Sequence, residues 1–347
     1  MSSYVLLVSP AANRVYADAA PALTVAELGM LAETVLAGRL GPARTERIAG
    51  VDYVTFDGDL TDGDLAHLGQ VSTAFALFER TSGDDTTFRP VALRRLDCLD
   101  DDLLTILKYQ GKTNELFTKL LLHVTVLASR SADRMLTDRL RVLDPLCGRG
   151  TTLNQALMWG WHAAGVDADA GDFEAYAAFL PRWLKDKRLK HTAQTARLRR
   201  DGRSLGRRLD VTFATSKEAW AAGDTLTLAA VLADTREAGQ VFKAASFDVV
   251  VTDAPYGVQH GSRSGSGSLQ RRPADLLAEA VPGWVRLLKP GGAIGIAVNT
   301  RTCSRDDALA VLVGAGLEPR DSPAYRGFEH RVDRAIQRDV VVGCRLD

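Results

Sequence analysis

Two short stretches of this chain carry residues whose types and spacing suit chemistry. The first, VLDPLCGRGTTLNQAL (142–157), runs an apolar strand into Asp144, then a tight turn with Gly148 and Gly150, then a helix opening at Thr151 or Thr152. Glycines suit such a turn because a Cβ would block a ligand approaching the backbone and because φ > 0 costs them little. The helix start behind the turn offers unpaired N–H groups and a positive dipole end. Leu153 stands where a dinucleotide fingerprint has its third glycine, and Asp144-Pro145 precedes the turn. A sulfonium amino acid fits that arrangement better than a pyrophosphate. The second stretch, FDVVVTDAPYG (247–257), runs a strand into Asp253-Ala254-Pro255-Tyr256. An aromatic amine is a poor nucleophile, because its lone pair is delocalised into the ring. A carboxylate (Asp253) and a carbonyl (Ala254) accepting its two N–H groups would orient that lone pair. Pro255 would fix the backbone, and Tyr256 would offer a stacking face for a base out of its helix.

Other acids sit where a nucleoside cofactor needs acceptors. Asp167 ends a second strand about 20 residues beyond the glycine turn, the place of a ribose-binding acid, with Asp169 competing for the role. Asp234 closes LAAVLAD and could accept from an adenine amino group.

These residues need a framework. From about residue 96 to 347, apolar strands (Arg141–Asp144, Ala163–Val166, Phe247–Thr252, Ala293–Val298) alternate with helical spacings (Leu116–Ala128, Thr152–Trp159, Ala274–Leu288). Such runs predict an α/β fold with a doubly wound, mostly parallel sheet and ligands at the strands' carboxyl ends. Residues 1–95 read as a separate small α/β module with strands at Tyr4–Val8, Val51–Phe56 and Phe88–Leu93. Helices are expected over Thr24–Leu40, capped by Thr24 with Glu27 in a capping box, and over Asp62–Phe78.

Composition is that of an ordinary globular chain, with no apolar run long enough to span a bilayer. Cys98, Cys147, Cys303 and Cys344 form no CxxC pair, which speaks against zinc and disulfides and suits a reducing cytoplasm. Net charge is zero, but residues 182–208 hold 11 Lys or Arg against Asp186 and Asp201, a local +9. That basic segment, with Trp183 as a stacking face, is the candidate RNA contact. Residues 257–268 (GVQHGSRSGSGS), which include His260, read as a Gly/Ser-rich loop. His123 reads as a packed histidine, Cys147 as a small packed side chain, and the Asp57–Asp64 acids as solvated turns rather than a calcium loop.

DPLCGRGT resembles the cofactor loop of amino-methyltransferases, and DAPY their (Asp/Asn)-Pro-Pro-(Tyr/Phe/Trp) signature. KYQGKTNELFTKLLLHVTVLAS (108–129), LLKPGG (287–292) and RVDRAIQRDVVVG (331–343) follow the order seen in the tRNA guanine-N2 methyltransferases and their bacterial relatives, over residues 105–347. The resemblance implies a class I, Rossmann-like methyltransferase using S-adenosyl-L-methionine and no metal. Asp144, Gly148, Gly150 and Asp167 would then bind the cofactor, with Thr113 and Asn114 beside it, and Asp253, Ala254, Pro255 and Tyr256 would hold the base. The expected acceptor is guanosine N2 in tRNA. An adenine-N6 or cytosine-N4 enzyme on DNA, a silent nucleic-acid-binding relative and a nicotinamide-dependent oxidoreductase are the alternatives. Ala254 departs from the family's first proline, a change expected to loosen the backbone. Relatives carry a ferredoxin-like module plus a THUMP domain, and residues 1–95 leave room for one module.

Overall fold

The computed structural model describes residues 1–11, 13–81, 87–107, 109, 112–200, 203–255 and 273–346. Tyr256, His260 and the Gly/Ser-rich stretch lie outside them.

The N-terminal part follows the order β1 (Ser2–Val8), α1 (Arg14–Glu33), β2 (Arg44–Ile48), β3 (Val51–Gly58), α2 (Asp62–Leu68), β4 (Ala74–Thr81), β5 (Thr87–Val91). Its antiparallel sheet has the order β2-β3-β1-β4-β5. Without β5 this is the ferredoxin-like β-α-β-β-α-β arrangement. Both helices differ from expectation. α1 starts ten residues before Thr24, because Asn13 caps it by accepting from the backbone N–H groups of Val15 and Tyr16. It runs through Pro21, a residue that reads as a helix breaker. Thr24 is therefore mid-helix, its hydroxyl donating to the Ala20 carbonyl at 2.6 Å. The expected Asp62–Phe78 helix stops at Leu68, and its second half is β4. At Gly69 the chain passes so close to the Arg94 carbonyl that a Cβ would lie 2.1 Å from it.

After α3 (Asp102–Thr105) and α4 (Glu115–Leu127) come β6 (Arg141–Asp144), α5 (Thr151–Met158), β7 (His162–Asp167), α6 (Ala170–Asp186), β8 (His191–Arg200), β9 (Arg203–Phe213), α7 (Lys217–Ala221), β10 (Leu226–Leu232), α8 (Ala238–Val241) and β11 (Phe247–Asp253). The chain continues through α9 (Pro273–Leu287), β12 (Leu288–Asn299), α10 (Arg305–Gly314), β13 (Leu317–Arg320), β14 (His330–Arg331) and β15 (Gln337–Arg345). The ten-stranded sheet is ordered β13-β15-β12-β11-β6-β7-β10-β9-β8, with β14 paired to β15. β10, β7, β6, β11 and β12 are parallel, while β15 and β9 run against their neighbours.

Helices cover both faces, so the central strands are buried throughout and read as unbroken apolar runs. Val249 and Val251 face one core, shared with α4, α5 and α6. Val250 faces the other, shared with α9 and α10. The first core continues without a break into the N-terminal module. At that junction Glu27 and His123 are both fully buried. The Glu27 carboxylate accepts from the His123 Nδ1 at 2.6 Å, and from the Ser72 N–H and hydroxyl.

The basic segment divides in two. Residues 182–190 close α6 and turn into the hairpin. There Lys187 pairs with Asp100 and Asp102 at 2.8 and 2.6 Å. Trp183 is buried and donates from Nε1 to Asp102, so it offers no stacking face. The remainder forms the β8–β9 hairpin. Among the described residues no helix is long and apolar enough to cross a membrane, and no group of three or more His, Cys, Asp or Glu side chains is placed to hold a metal.

Candidate active site

The chain runs from β6 through β7 to β10 on one side of the sheet, then returns to β11 and β12 on the other. The order therefore reverses between β6 and β11, and the carboxyl ends flanking such a reversal form a ligand crevice. Asp144 ends β6 and Asp253 ends β11. The two sequence stretches singled out by their chemistry thus meet at one place.

On the β6 side, Gly148 (φ 48°) and Gly150 (φ 80°) are left-handed. A Cβ on Gly150 would lie 2.4 Å from the Tyr176 ring, so the turn closes only with glycine there. Gly148 N–H donates to Asp167 Oδ2 at 2.7 Å, and Asp169 N–H donates to Oδ1 at 2.8 Å. Burial raises the Asp167 carboxyl against these hydrogen bonds. Asp169 is instead the cap of α6, accepting from Asp172 N–H, which leaves Asp167 as the acid facing the turn. Asp234 caps the short turn after β10 and is paired with Arg236. Cys147 is buried against Gly165, as a packing residue would be. A left-handed glycine turn, a helix start and an acid on the adjacent strand are what a nucleoside-linked sulfonium cofactor requires, so the residues present fit it.

Tyr109 and Arg149 form a lip over this turn, which sequence reading missed. The Tyr109 hydroxyl lies 3.1 Å from Thr151 Oγ1, and the Arg149 guanidinium sits 4.9 Å from the Tyr109 ring centre while donating to Asp172 at 2.7 Å.

Asp144 braces the two halves. Its Oδ1 accepts from the Thr252 hydroxyl at 2.8 Å, next to Asp253, and from Leu146 N–H. Burial pushes its carboxyl up to about 7, although hydrogen bonds from Thr252, Leu146 and Thr152 act the other way. An acid whose folded pKa is raised holds its proton in the folded state over a range where the unfolded chain has lost it. Its contribution is then most favourable at low pH and fades as pH rises through about 4 to 7. Asp144→Asn cannot titrate. Its stability relative to wild type should therefore improve by on the order of 2 kcal/mol between pH 5 and 8, read from urea denaturation. A pH-independent difference would refute this assignment.

On the β11 side, the Asp253 Oδ2 accepts from the Thr113 hydroxyl at 2.8 Å and from Arg338 Nη2 at 3.2 Å. Arg338, from the start of β15, is buried, with its guanidinium carbon 4.2 Å from the Phe117 ring centre. Thr113, expected beside the cofactor, thus engages the acid of the second stretch. Asn114, expected there too, caps α4 by accepting from Leu116 and Phe117 N–H. Ala254 corrects a further expectation. Its N–H donates to the Ala297 carbonyl at 2.9 Å, extending the pairing of β11 with β12 by a residue. A proline there would lack that donor, so Ala254 holds the backbone by a hydrogen bond rather than loosening it. Pro255 follows, exposed, and Tyr256 lies outside the described residues.

Thr113 and Arg338 also line a cavity of about 240 Å³, together with Asn13 and Tyr16 of the N-terminal module, Lys112 and His330. Burial lowers the His330 imidazole to about 4, so at neutral pH it donates from Nδ1 to the Phe328 carbonyl. Its Nε2 is then an acceptor without a hydrogen-bond partner among the described residues. The N-terminal module therefore supplies part of a wall that adjoins Asp253.

The family model described as "UPF0020: RMKL-like, methyltransferase domain" matches residues 134–292. No curated protein matches the chain. Solved structures with a similar layout include a TehB-like SAM-dependent methyltransferase from Corynebacterium glutamicum, at 17% identity and TM-score 0.35 over 62% of this chain and 85% of that one. Another is a 1,6-didemethyltoxoflavin-N1-methyltransferase from Burkholderia thailandensis, at 16% and 0.35 over 62% and 74%. A third is an rRNA methylase from Streptococcus thermophilus, at 10% and 0.34 over 62% and 91%. Residues 134–292, which contain the glycine turn, Asp167 and Asp253, are thus similar to the RMKL-like methyltransferase domain, and the sheet is that of a class I, S-adenosylmethionine-dependent methyltransferase.

Proposed function

We propose that this enzyme methylates an exocyclic amino group of a nucleobase in RNA, with guanosine N2 of tRNA as the leading acceptor. The observation that carries the reading is the placement of Asp253. It stands across the sheet's reversal point from the glycine turn, with Thr113 and Arg338 fixing its carboxylate. When bound, S-adenosylmethionine supplies an activated methyl group. Gly148, Gly150 and Asp167 would hold it, and Asp234 would accept from the adenine amino group.

Asp253 and the Ala254 carbonyl would accept the two N–H groups of the amine and turn its lone pair outward. Holding the groups in that geometry is the main source of rate, since positioning and aimed acceptors lower the barrier without covalent chemistry. Tyr256 would stack on the base, a role that rests on its place in the DAPY motif. Four unpaired cysteines suit a reducing cytoplasm.

The test offers purified protein labelled S-adenosylmethionine with unmodified tRNA, rRNA and duplex DNA in parallel, followed by nucleoside mass spectrometry. N2-methylguanosine from tRNA is the expected product. Transfer to DNA alone would move the acceptor to adenine N6 or cytosine N4. Cofactor binding without transfer to any nucleic acid would overturn the reading.

A further inference from the structure

We propose that the β8–β9 hairpin is a clamp for an RNA phosphate backbone, set beside the cofactor lip, resting on the nucleobase reading above. Its position comes from the strand register. Arg207 of β9 pairs with Leu232, the last residue of β10, while Leu198 and Arg199 of β8 pair with Gly206 and Ser204. At about 3.3 Å per residue, the hairpin end projects roughly 10 Å past the carboxyl ends of the parallel strands. That is the edge on which Asp144, Asp167 and Asp253 lie.

The arginines are arranged on one face of that projection. Arg197 and Arg199 are exposed and two residues apart, so they share a face of β8. Arg197 lies directly opposite Arg207. Like charges facing each other across a ladder are unfavourable; here Glu174 offsets Arg207, and Arg197 and Arg199 carry the positive charge of this face toward solvent. Arg207 stacks over Phe173 of α6, with its guanidinium 5.4 Å from the ring centre, and pairs with Glu174. Two residues earlier, Asp172 holds Arg149 of the glycine turn. A row of guanidinium groups thus leads from the cofactor lip, through Arg207, to Arg197 and Arg199. Arg208 faces the other way, over Phe242, and is paired with Asp210.

Edge protection does not account for this pattern. β8 is the outermost strand of the sheet, and charges placed to block pairing belong along the exposed edge. Here Thr192, Ala193, Gln194, Thr195 and Ala196 are all exposed and uncharged. The charge gathers only at the end that overhangs the catalytic edge. Guanidinium groups in a row suit phosphodiesters, to which they bind without reading sequence.

The test measures binding of a fluorescein-labelled, mixed-sequence RNA of about 20 nucleotides to the full chain, by anisotropy, from about 50 to 200 mM salt. Wild type should bind with a steep salt dependence. R197E/R199E should bind tenfold or more weakly at the low-salt end, with the slope of log K against log salt reduced by about 1.5. R197A/R199A should weaken binding less, in the same direction. R182E is the matched control: it lies in the same basic segment, exposed, but about 18 Å along α6 from the catalytic edge, and should change affinity less than twofold. Unchanged thermal melting and cofactor affinity would show that the variants fold. Absence of RNA binding by wild type, equal binding by R197E/R199E, or an equal loss in R182E would each overturn the clamp. Its failure is separable from that of the nucleobase reading. Base methylation with binding indifferent to Arg197 and Arg199 defeats the clamp alone. Binding as expected, without methylation of any base, defeats the chemistry alone.

Discussion

Asp253→Asn should reduce kcat for the nucleic-acid substrate by at least a hundredfold while leaving affinity for S-adenosylmethionine within about threefold. The reason lies in what else binds that carboxylate. Its Oδ2 takes donors from both Thr113 and Arg338. An asparagine must turn its carbonyl toward the buried guanidinium, and so presents its NH2 group where the acceptor amine needs a hydrogen-bond acceptor. The variant keeps the shape and loses the function. Asp253→Ala should lose at least as much activity, but it also takes a carboxylate partner from the buried Arg338, a defect that commonly costs about 3–5 kcal/mol. Single-turnover transfer and isothermal titration of the cofactor separate the two effects. Near-wild-type turnover in Asp253→Asn would remove Asp253 from the acceptor site.

The largest expected loss of stability lies elsewhere, at Glu27. This carboxylate is fully buried between the N-terminal module and the catalytic sheet, with His123 and both donors of Ser72 converging on it. Glu27→Ala leaves those donors unsatisfied and should cost about 3–5 kcal/mol, a large share of a typical domain's stability of about 5–15 kcal/mol. Glu27→Gln, which still accepts through its carbonyl, should cost less. Replacing the pair together, as Glu27→Met with His123→Leu, should recover part of the loss, because well-packed apolar side chains replace a buried polar pair with little penalty. Urea denaturation of the four proteins checks the order. If Glu27→Ala falls within 1 kcal/mol of wild type, the junction is not held by this network.

The sequence was legible where one physical cause dominated. The parallel strands, covered on both faces, showed as apolar runs, and the two glycines and Asp253 stood at their carboxyl ends. Legibility failed where a tertiary contact decided. Pro21 reads as a boundary, yet Asn13 starts α1 before it. The apolar stretch after Leu68 continues the helical spacing, and its pairing with β1 and β5 makes it a strand. β8 is polar and exposed, so it carries no hydrophobic period. Arg338 was hidden because its partner is 85 residues away and its stacking surface, Phe117, comes from α4. Within RVDRAIQRDVVVG it resembles the neighbouring arginines. Thr113 was singled out through the resemblance of segment 108–129, but its acceptor could not be named without the sheet.

The contacts that tie the N-terminal module to the late part of the catalytic sheet have a consequence for how the chain folds. The Ser322 hydroxyl donates to Glu33 across 289 residues, Tyr16 packs edge-on against His330, and Gly327 rests on Ala26. Contacts of such long range require closure of a loop spanning most of the chain before they contribute, and they slow folding accordingly. The module and the core strands are built from nearer partners and should form first. Docking of Tyr16 and Asn13 against the 330–338 region, which completes the cavity beside Asp253, then becomes a late event. Return of activity during refolding should lag behind recovery of secondary structure.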